Sequence, residues 1–290
     1  MNKINIIGAC SDLGIHINGA KHGPEILENN IDKSNINNII NIYSNNVKKE
    51  LDKTNLKKNL SEINIFNSKL YNETLNTLNN DFFPLVLGGD HSIAIGSALA
   101  SIKKYNNLGI IWFDAHGDFN TFDTTTSGNI HGLPFAALCN YEKKDLCNFH
   151  DGRFFNPQNA VLVGGRDIDI PGELDNLKKA GVTIFTTKDI KQYGPECIYK
   201  KAFEIASKNT NGIHISFDID VIDPNIAPGV SVPAVEGVTL EDANCFVDYI
   251  IKNKSIIRSM DLVEFNPEKD LDKKTEQIAI KIINKLTKNL

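Results

Sequence analysis

Gly109-Ile110-Ile111-Trp112-Phe113-Asp114-Ala115-His116-Gly117-Asp118 is the stretch on which the fold turns. Its first half is apolar almost without a break, which suits a strand covered on both faces, as in a parallel sheet between helices. Its second half delivers two carboxylates and an imidazole together. In an extended chain alternate side chains point the same way, so Asp114 and His116 project together at the carboxyl end of the strand and Asp118 curls back from the loop. Ligands of open α/β sheets sit at that edge. Such a cluster is costly to bury unless a cation neutralises it. The alternative is a capped strand end with solvated carboxylates.

Working outward, similar runs recur at Ile4–Ile7, Phe83–Leu87, Ala160–Val163, Val182–Phe185, Ile213–Phe217 and Ile256–Val263. Helical spacing appears between or after them at Ile93–Lys103, Pro195–Ser207, Leu240–Ile251 and Lys273–Lys288. Strands alternating with helices predict βαβ units and one doubly covered sheet, the α/β class. Asparagine is abundant from Asn29 to Asn80, including Asn45-Asn46 and Asn79-Asn80. The bias is read as falling on solvated helix faces, with Ile39, Ile42, Val47, Leu51, Leu60, Ile63 and Leu70 packing inward; a linker is the alternative. With no internal repeat and no Pro/Gly/Ser linker, 290 residues are expected to form a single domain over 1–290.

Composition narrows the function. Apolar residues at 41% and charged residues at 23% are ordinary for a globular chain, and exclude disordered and fibrous classes. A net charge of −5 and only three arginines (Arg153, Arg166, Arg258) argue against nucleic acid or an anionic membrane as partner. Five scattered cysteines without a CxxC pair favour free thiols in a reducing compartment. No signal-peptide core and no run near 18 apolar residues is present, so a cytoplasmic location is expected.

Two more clusters join the first. In Ser216-Phe217-Asp218-Ile219-Asp220-Val221-Ile222-Asp223-Pro224, period-two spacing turns Asp218 and Asp220 to one side, and Asp223 before proline reads as a turn residue or a supporting acceptor. In Leu85-Val86-Leu87-Gly88-Gly89-Asp90-His91-Ser92, the glycine pair permits a tight turn that sets His91 at a helix start near the same edge. Alone, His91 would be a packing or capping residue. Together, His91, Asp114, His116, Asp118, Asp218 and Asp220 offer more donors than one tetrahedral zinc takes. Oxygen-rich donors with some imidazole favour a harder ion such as manganese, and bridging carboxylates can hold two. Four carboxylates balance two divalent ions, and ions about 3.5–4 Å apart activate a water between them. Metal-assisted hydrolysis is the expected reaction class.

At these residues the chain resembles the arginase/agmatinase (ureohydrolase) family, from Gly-Ala-Lys-His-Gly-Pro at Gly19–Pro24 to Glu264-Phe265-Asn266-Pro267. GGDHS (88–92), DAHGD (114–118) and SFDIDVIDP (216–224) match its three metal motifs in order. The resemblance implies a three-layer α/β/α sandwich with a mostly parallel sheet. It also implies two Mn2+ per chain, hydrolysis of a guanidino carbon–nitrogen bond, and a homotrimer or homohexamer.

Asn120 and the run Ser127-Gly128-Asn129-Ile130-His131-Gly132 are similar to the branch acting on L-arginine, where the matching Asn120 and Ser127 bind the substrate α-carboxylate; ordinary loop polarity is the alternative. By the same resemblance Asp169 accepts from the α-ammonium, although Arg166 could instead form a salt bridge with Asp167 or Asp169. Glu264 pairs with the guanidinium, the alternatives being Lys269 or a backbone group. His131 shuttles protons, unless it only hydrogen-bonds substrate, and Asp118 holds and then deprotonates the bridging water. His16, His22, His150 and His214 are read as structural. The implied reaction is attack of a metal-bridging hydroxide on the guanidinium carbon of L-arginine, giving L-ornithine and urea. Departures from the family pattern are Val232 at a usual threonine, Glu236-Gly237 at a usual glycine pair, and Ile170 as an extra residue. They keep two rivals open: another ureohydrolase such as an agmatinase, and a non-catalytic metal-binding assembly protein.

Overall fold

Strand β4 (Gly109–Phe113) forms where its apolar run predicts, buried along its whole length. A computed structural model describes residues 3–44, 49–52, 54–142, 144–169 and 171–290. Asn45, Asn46, Val47 and Ile170, singled out in the sequence, lie outside the described residues. The other strands are β1 (Ile4–Cys10), β2 (Ile36–Tyr43), β3 (Phe83–Gly88), β5 (Ala160–Gly165), β6 (Thr183–Thr186), β7 (Ile213–Asp218) and β8 (Ile257–Val263). They make one sheet in the order β2-β1-β3-β8-β7-β4-β5-β6, and every neighbouring pair is parallel. The last strand in the sequence, β8, therefore sits between β3 and β7, in the middle of the sheet.

Helices cover both faces, giving an α/β sandwich. Helices α1 (Gly23–Asn30), α6 (Thr187–Tyr193), α7 (Pro195–Ser207), α8 (Leu240–Lys252) and α9 (Lys274–Asn289) pack on one side. On the other lie α2 (Leu60–Asn79), α3 (Ala94–Tyr105), α4 (Pro134–Leu138) and α5 (Gly172–Ala180). Alternation along β4 feeds both layers: Ile111 and Phe113 join the first core, Ile110 and Trp112 the second. A fully buried Phe113 alone stabilises the fold by roughly 1.5–3 kcal/mol. Helix starts are local: Thr186 with Asp189, and Thr239 with Asp242, form reciprocal capping boxes at α6 and α8.

The asparagine-rich region departs from its sequence reading. Ile36–Tyr43 is not a helix face but the edge strand β2. Ile39 and Ile42 do pack inward, but from a strand, while Asn38 and Tyr43 stay exposed. Asparagine is disfavoured in strands, yet polar residues suit an edge that must not recruit a further strand. Leu51 is 62% exposed rather than packed. Ile63 and Leu70 are buried on α2, with Leu60 half-buried at its start.

Candidate active site

All eight strands run the same way, so their carboxyl ends share one edge, and the site is built where β3, β8, β7, β4 and β5 stand side by side. The turn after β3 is tight: a Cβ on Gly89 would lie 1.7 Å from the Ser11 carbonyl oxygen, so only glycine fits. That turn delivers His91 in a 3-10 turn (His91–Ile93) just before α3. β4 delivers Asp114, His116 and Asp118, and Glu264 directly follows β8. Asp118 and Glu264 have φ of 47° and 65°, a left-handed backbone that neither residue adopts without support.

Two donor groups result, His91 with Asp114 and Asp218, and Asp114 with His116 and Asp220; within each the donor atoms lie within 4.8 Å of one another. Asp114 belongs to both. Nδ1 of His91 lies 3.0 Å from Asp114 Oδ2 and 3.1 Å from an oxygen of Asp118 and of Asp218, yet none meets the angle a hydrogen bond needs. Three carboxylates converging on one misaligned nitrogen are arranged about a common centre, not as pairs. His116 Nδ1 is 3.0 Å from Asp220 Oδ2 and 3.5 Å from Asp114 Oδ1. The period-two reading of the third motif needs correction. Asp218 ends β7, and Ile219–Val221 is a 3-10 turn capped by Asp218 accepting the Asp220 N–H at 2.7 Å. The turn sends the two aspartates to different groups rather than lining them along one strand face. Asp223 is a turn acceptor, taking N–H groups of Asn225 and Gly237.

The electrostatics fit a divalent cation. Burial raises the Asp218 carboxyl well above its ordinary range, and Asp220 and Asp114 push it further. Burial and Asp114 hold Asp118 up at about 6. Burial opposes ionisation of Asp114 too, but the His116 and His91 imidazoles outweigh it and hold Asp114 low. Burial lowers both imidazoles, and their carboxylates outweigh it, raising each well above the ordinary histidine value. Buried carboxylates and imidazoles that shift one another this strongly form a set that a divalent ion neutralises when all donors are deprotonated.

Beside the donors, Glu264 Oε1 accepts the His91 N–H at 2.8 Å and lies 3.3 Å from His131 Nδ1, while its Oε2 is buried with no hydrogen bond. No contact with Lys269 is formed among the described residues. Burial lowers the His131 imidazole, and the Glu264 carboxylate more than offsets this, so its net shift is upward. On the substrate side, Asn120 Nδ2 donates to Asp169 Oδ2 at 3.0 Å. Ser127 is exposed, its Oγ accepting the Asn129 N–H and its carbonyl bonded by Lys58, which leaves its O–H free to donate. Arg166 makes no salt bridge with its own loop's aspartates; its donors go to backbone carbonyls of Gly164, Asp220, Val221, Ala234 and Val235.

Several supporting residues went unread in the sequence. Trp112 Nε1 donates to Asp114 Oδ2 at 2.9 Å and its ring stacks on His91 at 3.9 Å between centroids. Ser216 Oγ lies 2.9 Å from His91 Nε2. Each stands two residues before a named aspartate, so the strand period that places the aspartate also places its neighbour. Glu173 had no such signal: it reaches in from the first turn of α5 and accepts the Phe119 and Asp169 N–H groups. Burial, with the Asp118 charge, pushes its carboxyl from 4.5 up to about 8. The folded chain therefore holds this proton more tightly than the unfolded one, and stability falls as pH rises from about 4.5 toward 8. In chelator, Glu173→Gln, neutral at every pH but able to accept only one of these two N–H groups, is expected to melt below wild type near pH 5 and to close the gap toward pH 8. Parallel melting curves at both pH values test this; a constant offset would reject it.

Comparison with known proteins agrees. The model of the Arginase family matches residues 2–288. The chain belongs to the arginase family. It is 37% identical to the arginase of Bacillus subtilis over 79% of this chain and 77% of the relative. The solved arginase of Bacillus caldovelox superposes with a TM-score of 0.91 at 32% identity, covering 99% of this chain and 98% of that one. Entamoeba histolytica arginase in complex with L-ornithine superposes at 0.90 with 29% identity, covering 99% of both chains. This member of the family is a ureohydrolase acting on a guanidino carbon–nitrogen bond, and the family is metal-dependent. No described helix is long and apolar enough to cross a membrane.

Proposed function

We propose that the protein hydrolyses L-arginine to L-ornithine and urea with two manganese ions, held by His91, Asp114, Asp118, Asp218, His116 and Asp220. The observation that carries this reading is the pair of donor groups sharing Asp114, with an unpaired carboxylate oxygen of Glu264 beside them. Divalent ions bound there supply Lewis acidity and lower the pKa of bound water. Oxygen-rich donors with two imidazoles favour manganese over zinc.

The chain's own groups then divide the work. The Glu264 carboxylate faces the guanidinium and can make charge-assisted hydrogen bonds to it. Asp118, whose carboxylate stands beside His91 at the donor cluster, takes a proton from the attacking water. His131, its imidazole proton retained by Glu264, hands one to the departing amine of ornithine. Asn120 and Ser127 donate to the α-carboxylate, and Asp169, pre-set by Asn120, accepts from the α-ammonium. The L-ornithine in the Entamoeba relative supports this choice of substrate. The same reading takes the chain as one domain over 1–290 working in the cytoplasm, as its composition suggests, and assembled as the homotrimer or homohexamer that the family resemblance implies.

An agmatinase-like substrate is the second reading, favoured by half-buried Val232 where the family usually has threonine. Urea release from arginine and agmatine, with chelator and with added Mn2+, separates the two. Charge-assisted contacts to an α-amino-acid end contribute about 1.5–3 kcal/mol each, so kcat/KM for arginine is expected to exceed that for agmatine at least about tenfold. Chelation should abolish both activities and Mn2+ restore them; faster turnover of agmatine would reject the arginine assignment.

A further inference from the structure

We propose that Arg166 is a positioning residue that acts chiefly on the Asp114–His116–Asp220 half of the site and far less on the His91–Asp218 half; this rests on the metal reading above. Arg166 follows β5 and joins two strand ends by different means. Its backbone N–H donates to the Ala115 carbonyl at 2.8 Å, and Asp167 N–H to the same oxygen at 3.0 Å, so the main chain grips the residue between Asp114 and His116. The next residues form an isolated bridge, His116 to Asp167. Its side chain reaches the other strand end. Nη2 donates to Asp220 O at 2.9 Å and Ala234 O at 2.8 Å. Nη1 donates to Val221 O at 3.0 Å and Gly164 O at 3.4 Å, and Nε to Val235 O at 3.0 Å.

A guanidinium has five N–H donors in one rigid plane, and here all five end on carbonyls from three separate segments. The plane thereby fixes the backbone of the 219–221 turn from outside, while the Asp218 carboxylate fixes it from inside through the Asp220 N–H. Asp220 Oδ2 can then stand 3.0 Å from His116 Nδ1. No group that seats His91 is involved. His91 is held by Glu264 at its N–H, by Ser216 at Nε2 and by the Trp112 ring. Arg166 also lines an open cavity of about 480 Å3 with Thr187, Lys191 and Val235. Water can therefore reach the carbonyls a shorter side chain would release, and the fold should survive substitution.

Wild type, Arg166→Gln and Arg166→Lys are compared by equilibrium dialysis and calorimetric titration with Mn2+, by the electron paramagnetic resonance spectrum, and by melting in chelator. Wild type is expected to bind two ions with a spin-coupled spectrum. Arg166→Gln should keep one ion close to wild-type affinity and bind the second about 10- to 100-fold more weakly, the usual effect of losing a support behind a metal ligand. At one ion per chain its spectrum becomes that of an isolated Mn2+. Arg166→Lys, with three donors for five carbonyls, should fall between, and decides the matter if the glutamine variant does not fold. Unchanged affinities, or equal weakening of both sites, overturn the positioning role while leaving the metal reading standing. Failure of wild type itself to bind Mn2+ overturns both.

Discussion

Asp114→Asn is expected to abolish metal-dependent urea release, a loss on the order of 10³-fold or more, because several kcal/mol of Lewis-acid stabilisation disappear together. Asp114 is the one residue common to both donor groups, fully buried, with Oδ2 3.0 Å from His91 and Oδ1 3.5 Å from His116. An amide keeps the shape but offers one neutral acceptor where two charged oxygens stood. The readout that isolates the metal is stability. At about 1,000 times its Kd each of the two ions stabilises the folded chain by about 4.1 kcal/mol, and in a chain of 290 residues each kcal/mol raises the melting temperature by roughly 1–2 °C. Added Mn2+ should lift wild type by about 8–16 °C and the variant by little. A variant that keeps both the lift and the activity would remove Asp114 from the centre of the site.

Glu264→Gln should give a different signature. The carboxylate bonds the His91 N–H, pairs with His131 and keeps Oε2 unpaired. Truncating one partner of a buried, hydrogen-bonded charge pair costs about 2–5 kcal/mol, so kcat/KM should fall roughly 30- to 5,000-fold. The Mn2+-induced rise in melting temperature should survive, since Glu264 belongs to neither donor group. The pH profile should move as well. Burial lowers the His131 imidazole, and Glu264, ahead of Asp118 and Asp90, raises it; without the carboxylate the largest raising influence is gone, so a limb of the profile governed by His131 shifts to lower pH. Loss of the metal-induced stabilisation in this variant would instead make Glu264 part of the metal cage.

Which parts of the molecule were legible follows from the range of the forces involved. Buried parallel strands need uninterrupted apolar runs, so β4, β5 and β7 were plain, and the aspartates at their ends stood out against them. β2 was hidden because an edge strand is asked to be polar, and its asparagines carry no strand propensity. The different destinations of Asp218 and Asp220 depend on one 3-10 turn, which residue spacing alone cannot tell from an extended strand. Glu173 and the carbonyl contacts of Arg166 are products of tertiary packing between segments 50 or more residues apart, and no local pattern encodes them.

The central place of β8 has a consequence for biosynthesis. Until Ile257–Val263 leaves the ribosome, β3 and β7 lack their shared neighbour, so any sheet formed earlier is limited to two parts, β2-β1-β3 and β7-β4-β5-β6. Each presents an open, apolar inner edge, the geometry that recruits stray strands. A chain cut short before the final strand is therefore expected to aggregate and not to persist as a soluble fragment, and chaperone demand should peak late in translation, just before the sheet is closed.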